Sequence, residues 1–404
     1  MEPLGGTHLR RASHRAVIER GSCVILGAGL AGLSLADALL GQGVTSDITL
    51  VDARTGFTDD RTWCFWDVQP HPYRHLIRER WASWTFATGG AMYRQRSSAT
   101  PYCHLPAMAF YEDVLRRIRA APNCRLLLGV TVGEVSGQAG AVTVSTSTGN
   151  LTATHCFDAL GPEGPTWGPA MPALGPGALA QRFLGWFVRA REPVFDASCV
   201  TLMDFGVTPN GELRFMYVLP FSATSALVED TSIGHHGVDP DASRDEIRRY
   251  LHRHHGIDDI AVEREEQSAL PMIAGAPPPP AAPVIPVGTA AGALRPSSGY
   301  AFVRTQLQVR RIARAVALGR PAVVPVERRR EALLDRVFLE ALREDPAGFA
   351  QHMLAIGRNL SGDRFARFMM DAASPADVAA MISALPKRPF LGAAGRTVLG
   401  AVRP

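Results

Sequence analysis

Six consecutive residues constrain this chain more than any others: Gly27-Ala28-Gly29-Leu30-Ala31-Gly32. A Gly-x-Gly-x-x-Gly run alone is a weak signal, but here its required surroundings are present. Apolar Cys23 to Leu26 precede it, Leu30, Leu33 and Leu40 follow at helical spacing, and Ile48-Thr49-Leu50-Val51 reads as a second strand ending at Asp52. Strand, turn, helix and strand within about thirty residues make a βαβ unit, which needs a parallel sheet. Each position then has a physical task. Gly27 permits a tight turn, Gly29 lets backbone approach a pyrophosphate, and Gly32 lets the helix lie close to the sheet. With Ala28 and Leu30, these residues aim unpaired N–H groups and the positive end of a helix at phosphates. Asp52 would accept hydrogen bonds from ribose hydroxyls. The alternative is a glycine-rich turn without a ligand.

Two later segments complete the pattern. Asp158-Ala159-Leu160-Gly161 ends a short apolar run, and Gly288-Thr289-Ala290-Ala291-Gly292 is followed by Pro296-Ser297-Ser298-Gly299-Tyr300. They resemble the middle motif and the ribityl- and isoalloxazine-wrapping segment of glutathione-reductase-type flavoproteins. The resemblance implies FAD rather than NAD, with Asp158, Gly161, Gly288, Gly292, Pro296 and Gly299 beside it. Arg61 could contact FAD phosphates or pair with Asp59. The expected fold is α/β: a Rossmann-type FAD-binding domain with an inserted β-rich substrate domain and a helical C-terminal region. Residues 1–20 read as a flexible extension, 21–180 as the first part of the FAD-binding domain and 181–275 as the substrate domain. Residues 275–283, rich in proline, read as a polyproline-II-like connector. The FAD-binding domain resumes over 284–325, and 326–404 is helical. Arg125–Val135 reads as one strand, and 242–255 as an exposed helix whose Arg and His side chains form a solvated face.

Four segments, the last of them already quoted, make the resemblance specific. They are Asp60-Arg61-Thr62-Trp63-Cys64-Phe65-Trp66; Gln181-Arg182-Phe183-Leu184-Gly185-Trp186; Leu202-Met203-Asp204-Phe205 paired with Leu227-Val228-Glu229-Asp230-Thr231; and the Gly288–Tyr300 stretch. In this order, across about residues 22–305, the chain resembles the lycopene cyclase family of carotenoid biosynthesis. The resemblance implies non-redox acid–base closure of linear carotenoid ends, as in lycopene, to β-ionone rings. It implies reduced FAD as the active form, with NADPH as its reductant, and Glu229 with Asp230 at the catalytic position.

The residues support the same chemistry. Protonating an isolated C=C bond needs an acid that is still protonated beforehand, and burial of a carboxyl among apolar groups meets that need. Glu229 follows Ala226, Leu227 and Val228 in an apolar strand; Asp230, one residue on, would face the opposite way. Trp63, Phe65, Trp66, Phe183 and Trp186 are candidates to line a polyene tunnel, against the alternative that each is an ordinary core aromatic. His104 reads as structural. Two rival functions remain: an FAD-dependent monooxygenase of a polyene or aromatic substrate, and a non-catalytic isoprenoid carrier. Gly288-Thr289-Ala290 and Asp158-Ala159 depart from the Gly-Asp-Ala and Asp-Gly motifs usual in the monooxygenases.

Composition enters mainly to exclude. The 404 residues carry a net charge of +4, Lys387 is the sole lysine, and no basic patch interleaves with aromatics, which argues against nucleic-acid binding. Six scattered cysteines lack any C-x-x-C pair and read as reduced thiols, without metal-ligand spacing. With no long apolar stretch, the expectation is a cytoplasmic protein, peripheral on the inner face of the membrane because its substrate is insoluble. Phe365, Phe368, Met369 and Met370, near Arg364 and Arg367, could form an interfacial patch or pack onto the substrate domain. Oligomeric state has no signature.

Overall fold

A computed structural model describes residues 21–167, 179–206, 212–236, 239–273, 283–322, 329–346 and 348–400. The expected extension, 1–20, and the connector up to residue 282 lie outside these residues. The βαβ reading holds. Five parallel strands line up in the order Val284–Pro286, His155–Asp158, Cys23–Leu26, Ile48–Asp52 and Cys124–Leu128. The two strands flanking the Gly27 turn are buried along their whole length, as a sheet covered on both faces requires. Alternation divides their side chains. Cys23, Ile25, Ile48 and Leu50 share a core with Leu33, Leu35 and Leu39 of the helix Leu30–Gly41, which packs beside the helix Phe302–Ala317. Val24, Leu26 and Val51 meet Val142 and Val144 of a small antiparallel sheet on the other side.

The expected strand over Arg125–Val135 is two strands in two sheets, Cys124–Leu128 and Val132–Gln138. Between them Gly129 takes a φ of +68°, which an extended strand cannot accommodate.

A second, seven-stranded sheet runs Ala261–Pro271, Ala180–Arg189, Ser225–Gly234, Leu213–Pro220, Cys199–Gly206, Ser83–Thr88, Ala91–Arg96. Its last two strands come from before residue 180, and Cys199–Gly206 pairs with Ser83–Thr88 in parallel. The sheet therefore crosses the expected boundary at 180. Sequence-local reading misses this because strand pairing across more than a hundred residues leaves no local periodicity. The helix Pro240–His255 covers one face through Ile247, Tyr250 and Leu251; its outer face carries ion pairs such as Arg248–Asp245 and Arg249–Glu246.

Among the described residues, five helices follow: Arg329–Glu344, Phe349–Asn359, Gly362–Met369, Pro375–Ala384 and Lys387–Gly400. Phe365 and Met370 are buried, Phe368 and Met369 are half-buried against the same core, and Arg364 and Arg367 pair with Asp377. Among the described residues, no helix is long and apolar enough to cross a membrane. A buried ion-pair network bolts these helices to the second glycine-rich segment. Arg295, only 2% exposed, lies 3.1 Å from Asp335 and donates to the carbonyl oxygens of Phe368 and Met369. Arg304 holds Asp371 at 3.0 Å.

Candidate active site

One cavity of about 780 Å³ reaches from the Gly27 turn, along the inner face of the seven-stranded sheet, to the C-terminal helices. At its nucleotide end Gly27 has a φ of +96°, and a Cβ there would stand 2.9 Å from the Ala159 carbonyl oxygen. A Cβ on Gly32 would collide with the carbonyl of Gly27, so the helix needs glycine to approach the sheet. Gly29 opens onto the cavity: the nearest atom to an added Cβ is Arg54 Nη2, at 3.9 Å. Leu30 begins the helix without an acidic residue in its first turn, leaving the helix N-terminus free for an anion. The Ala28 N–H donates to Asp52 Oδ2 at 2.6 Å, and the Arg54 N–H to Oδ1 at 2.8 Å. Asp52 still lines the cavity with acceptor capacity to spare. Arg54, whose guanidinium Nε lies 3.2 Å from Asp52, was not foreseen.

The remaining cofactor candidates divide. Arg61 and Gly299 line the cavity. Arg61 donates to the Asp60 carbonyl, while Asp59 faces Arg264 instead, at 3.7 Å. Asp158 is buried behind the lining, where it accepts from the N–H groups of Leu160 and Thr166 and from the Thr166 hydroxyl. It shapes its own turn, with Gly161 at φ +66°, and presents Ala159 and Leu160 to the cavity in its place. Gly288, Gly292 and Pro296 likewise stand behind the lining and set its course; the Gly288 N–H donates to Gln308. Ser298 lines the cavity with a buried hydroxyl that has no partner among the described residues. An open helix terminus, a carboxylate at ribose reach and an unpartnered hydroxyl fit a dinucleotide such as FAD.

The other wall holds the acid. Along Ser225–Gly234, Val228 and Asp230 face the helix Pro240–His255, while Leu227, Glu229 and Ile233 line the cavity. Glu229 is 7% exposed; Thr231 Oγ1 donates to its Oε1 at 2.7 Å, and no cation among the described residues pairs with it. Burial, helped by the nearby Glu266, pushes its carboxyl up to about 8. Asp230 is gripped by Arg214 through two 2.6 Å hydrogen bonds and accepts another from Ser243. It lies off the cavity, so the geometry gives it no contact with a substrate held there.

Strand register sets Glu266, Gly185, Glu229 and Tyr217 in one row across four strands. The Tyr217 hydroxyl is 2.9 Å from that of Tyr102, which is 3.0 Å from that of Tyr300. All three line the cavity, and burial raises each phenol. The Tyr217 side chain also meets the Cys64 thiol as a hydrogen-bond partner, so the three hydroxyls and the thiol form one polar chain. Cys64 also lines the wall, its thiol raised by burial. Neither Glu266 nor the tyrosines were foreseen, because the pairing of distant strands brings them together.

Of the five aromatic candidates, Trp63 and Phe183 line the cavity. Trp66 is fully buried among Trp84, Tyr102 and Phe365, and Phe65 stacks on Phe302. Trp186 faces the opposite side and donates to Glu265. These three are core residues. His104 sits 2.5 Å from Glu79, a structural pair.

Comparison with known proteins adds three findings. The family model described as "Lycopene cyclase protein" matches residues 22–394, beyond the 22–305 that motifs alone outline. A lycopene beta-cyclase of Paracoccus sp. (strain N81106 / MBIC 01143) is 29% identical over 287 residues, 69% of each chain; one from Pantoea ananas is 29% identical over 258 residues, 62% of each, under two thirds of its length. Among solved structures, a geranylgeranyl bacteriochlorophyll reductase-like protein from Thermoplasma acidophilum has a TM-score of 0.62 at 11% identity, covering 93% of this chain and 98% of that one. The halogenase PltM in complex with phloroglucinol and FAD has a TM-score of 0.57 at 14% identity, covering 93% and 94%. At these identities the likeness is one of fold, shared with a protein solved with FAD bound.

Proposed function

Because this chain belongs to the lycopene cyclase family, we propose that it closes the ends of a linear carotenoid such as lycopene into β-ionone rings by acid–base chemistry. One observation carries the reading: Glu229 is a buried carboxyl with a single hydroxyl donor, in the wall of the cavity that ends at the Gly27 turn. A carboxyl raised to about 8 stays protonated at neutral pH. It can hand its proton to an alkene carbon, and the neighbouring double bond then attacks the cation. Loss of a ring proton completes a reaction with no net redox change.

The other lining residues guide that step. Trp63 and Phe183 offer π faces to the cation, each worth about 0.5–2 kcal/mol. Leu202, Leu213, Leu227 and Ile233 exclude water, which would otherwise capture it. Gly27, Gly29, Leu30, Asp52, Arg54, Ser298 and Gly299 hold FAD. When bound there in its reduced form, with NADPH as reductant, FAD would supply an electron-rich ring that favours the developing positive charge. The insoluble polyene comes from a bilayer and enters where exposed Leu333, Ile382 and Leu391 line the cavity, in place of the expected Phe365 patch.

Expression in a lycopene-accumulating bacterium tests the reading. Wild type converts the pigment to a cyclic carotenoid, and Glu229→Gln leaves it linear. With purified protein, the reductant primes the flavin without being used up ring by ring. Oxygen uptake matched to product would instead make the chain a monooxygenase, and a pigment pool untouched by wild type would leave a carrier.

A further inference from the structure

Glu266 lies on the same wall as Glu229, two strands away, with Gly185 between them in register. Adjacent strands are about 4.8 Å apart, so the two Cα atoms stand roughly 10 Å from each other. No side chain grows between them, because the intervening residue is glycine. A Cβ on Gly185 would lie 3.5 Å from both Glu229 Cβ and Cγ and 2.9 Å from Leu227 Cδ1. The two carboxyls thus share one low-dielectric wall.

Their partners differ. Glu266 Oε2 accepts from Thr62 Oγ1 at 3.0 Å and lies 3.4 Å from the guanidinium Nη1 of Arg264, while its side chain is 10% exposed. Burial raises its carboxyl too, but Arg264, Thr62 and Arg61 pull it back toward the charged form, which nothing does for Glu229 beyond the Thr231 hydroxyl. Glu229 has the Thr231 hydroxyl alone. Other titratable groups facing the pair are Cys64, Tyr217 and Tyr300, all neutral because burial raises them. Asp59 and Arg61 lie beyond Glu266, toward the surface, and Asp230 faces away, paired with Arg214. When two carboxyls share a site, the one with donors and a cation takes the charge, and that charge holds the proton on the other.

We propose that Glu266 is a positioning residue: its carboxylate, anchored by Thr62 and Arg264, keeps the proton on Glu229 ready for the alkene. The proposal rests on the reading of Glu229 as the acid and assigns that site its electrostatic partner. A unit charge at ~8–10 Å across an effective dielectric of ~20 shifts a neighbour by roughly one pKa unit.

Infrared titration of the FAD-bound protein tests this without relying on turnover. The protonated-carboxyl band of Glu229 is identified by its loss in Glu229→Gln. In Glu266→Gln its titration midpoint falls by about one pH unit, and the alkaline limb of the rate profile moves with it. Glu266→Met, similar in length and also uncharged, shifts both in the same direction should the amide variant misfold. An unmoved midpoint in a folded variant overturns the proposal, as does loss of folding in both, which would make Glu266 structural. Cyclisation by Glu229→Gln would instead remove the acid assignment on which the proposal rests.

Discussion

Glu229 and Asp230 are consecutive acids with opposite surroundings, and variants separate them. Asp230→Asn leaves the half-buried Arg214 without its counter-charge and costs about 1–3 kcal/mol of stability, read from a shifted urea midpoint. Cyclisation per folded molecule persists. Glu229→Gln does the reverse, abolishing cyclisation while keeping the fold. Its pH behaviour follows from the sign of the shift. The folded carboxyl titrates near 8, above the ordinary carboxyl value, so the stability it contributes is fully present below about 4.5 and lost as pH rises through 8. Wild type therefore melts lower at pH 9 than at pH 6, by the equivalent of a few kcal/mol, and Glu229→Gln flattens that slope. Alternation along one strand made the division between 229 and 230 legible beforehand. Glu266 and the Tyr102–Tyr217–Tyr300 chain were not legible, because each partner lies dozens to nearly two hundred residues from the next.

At the level of elements, the nucleotide turn was readable because all its requirements fall within one short stretch. Gly32→Val tests it, since a side chain there drives the helix off the sheet at the Gly27 carbonyl. At least tenfold weaker FAD binding is expected, about 1.4 kcal/mol or more, seen as purified protein lacking flavin absorbance. Asp158 shows where motif reading runs out. Its position near the cofactor was expected, yet the carboxylate turns back to fasten Leu160 and Thr166. A residue type and a strand end do not specify which way a side chain points when its own turn offers unpaired N–H groups. The Gly129 break and the hairpin of Ser83–Thr88 with Ala91–Arg96 escaped for related reasons: one depends on a single positive φ, the other on a partner strand far along the chain.

For the whole molecule, the cavity needs the C-terminal helices as much as the sheets, and the Arg295–Asp335 contact ties them together. Asp335→Ala leaves a guanidinium that is 2% exposed with Asp371, at 3.6 Å, as its counter-charge, at a cost of about 1–3 kcal/mol by urea unfolding, and loosens the cavity wall beside Ser298. The parallel sheet has a further property. Its edge strand, Val284–Pro286, covers His155–Asp158 and is encoded more than a hundred residues downstream. While the ribosome is still making that stretch, the nascent chain carries a bare row of amide and carbonyl groups beside half-formed hydrophobic layers. Such an edge invites pairing with other chains. Truncated chains ending near residue 275 should therefore collect in inclusion bodies, and slowing translation just before the proline-rich segment should lower the yield of soluble full-length protein.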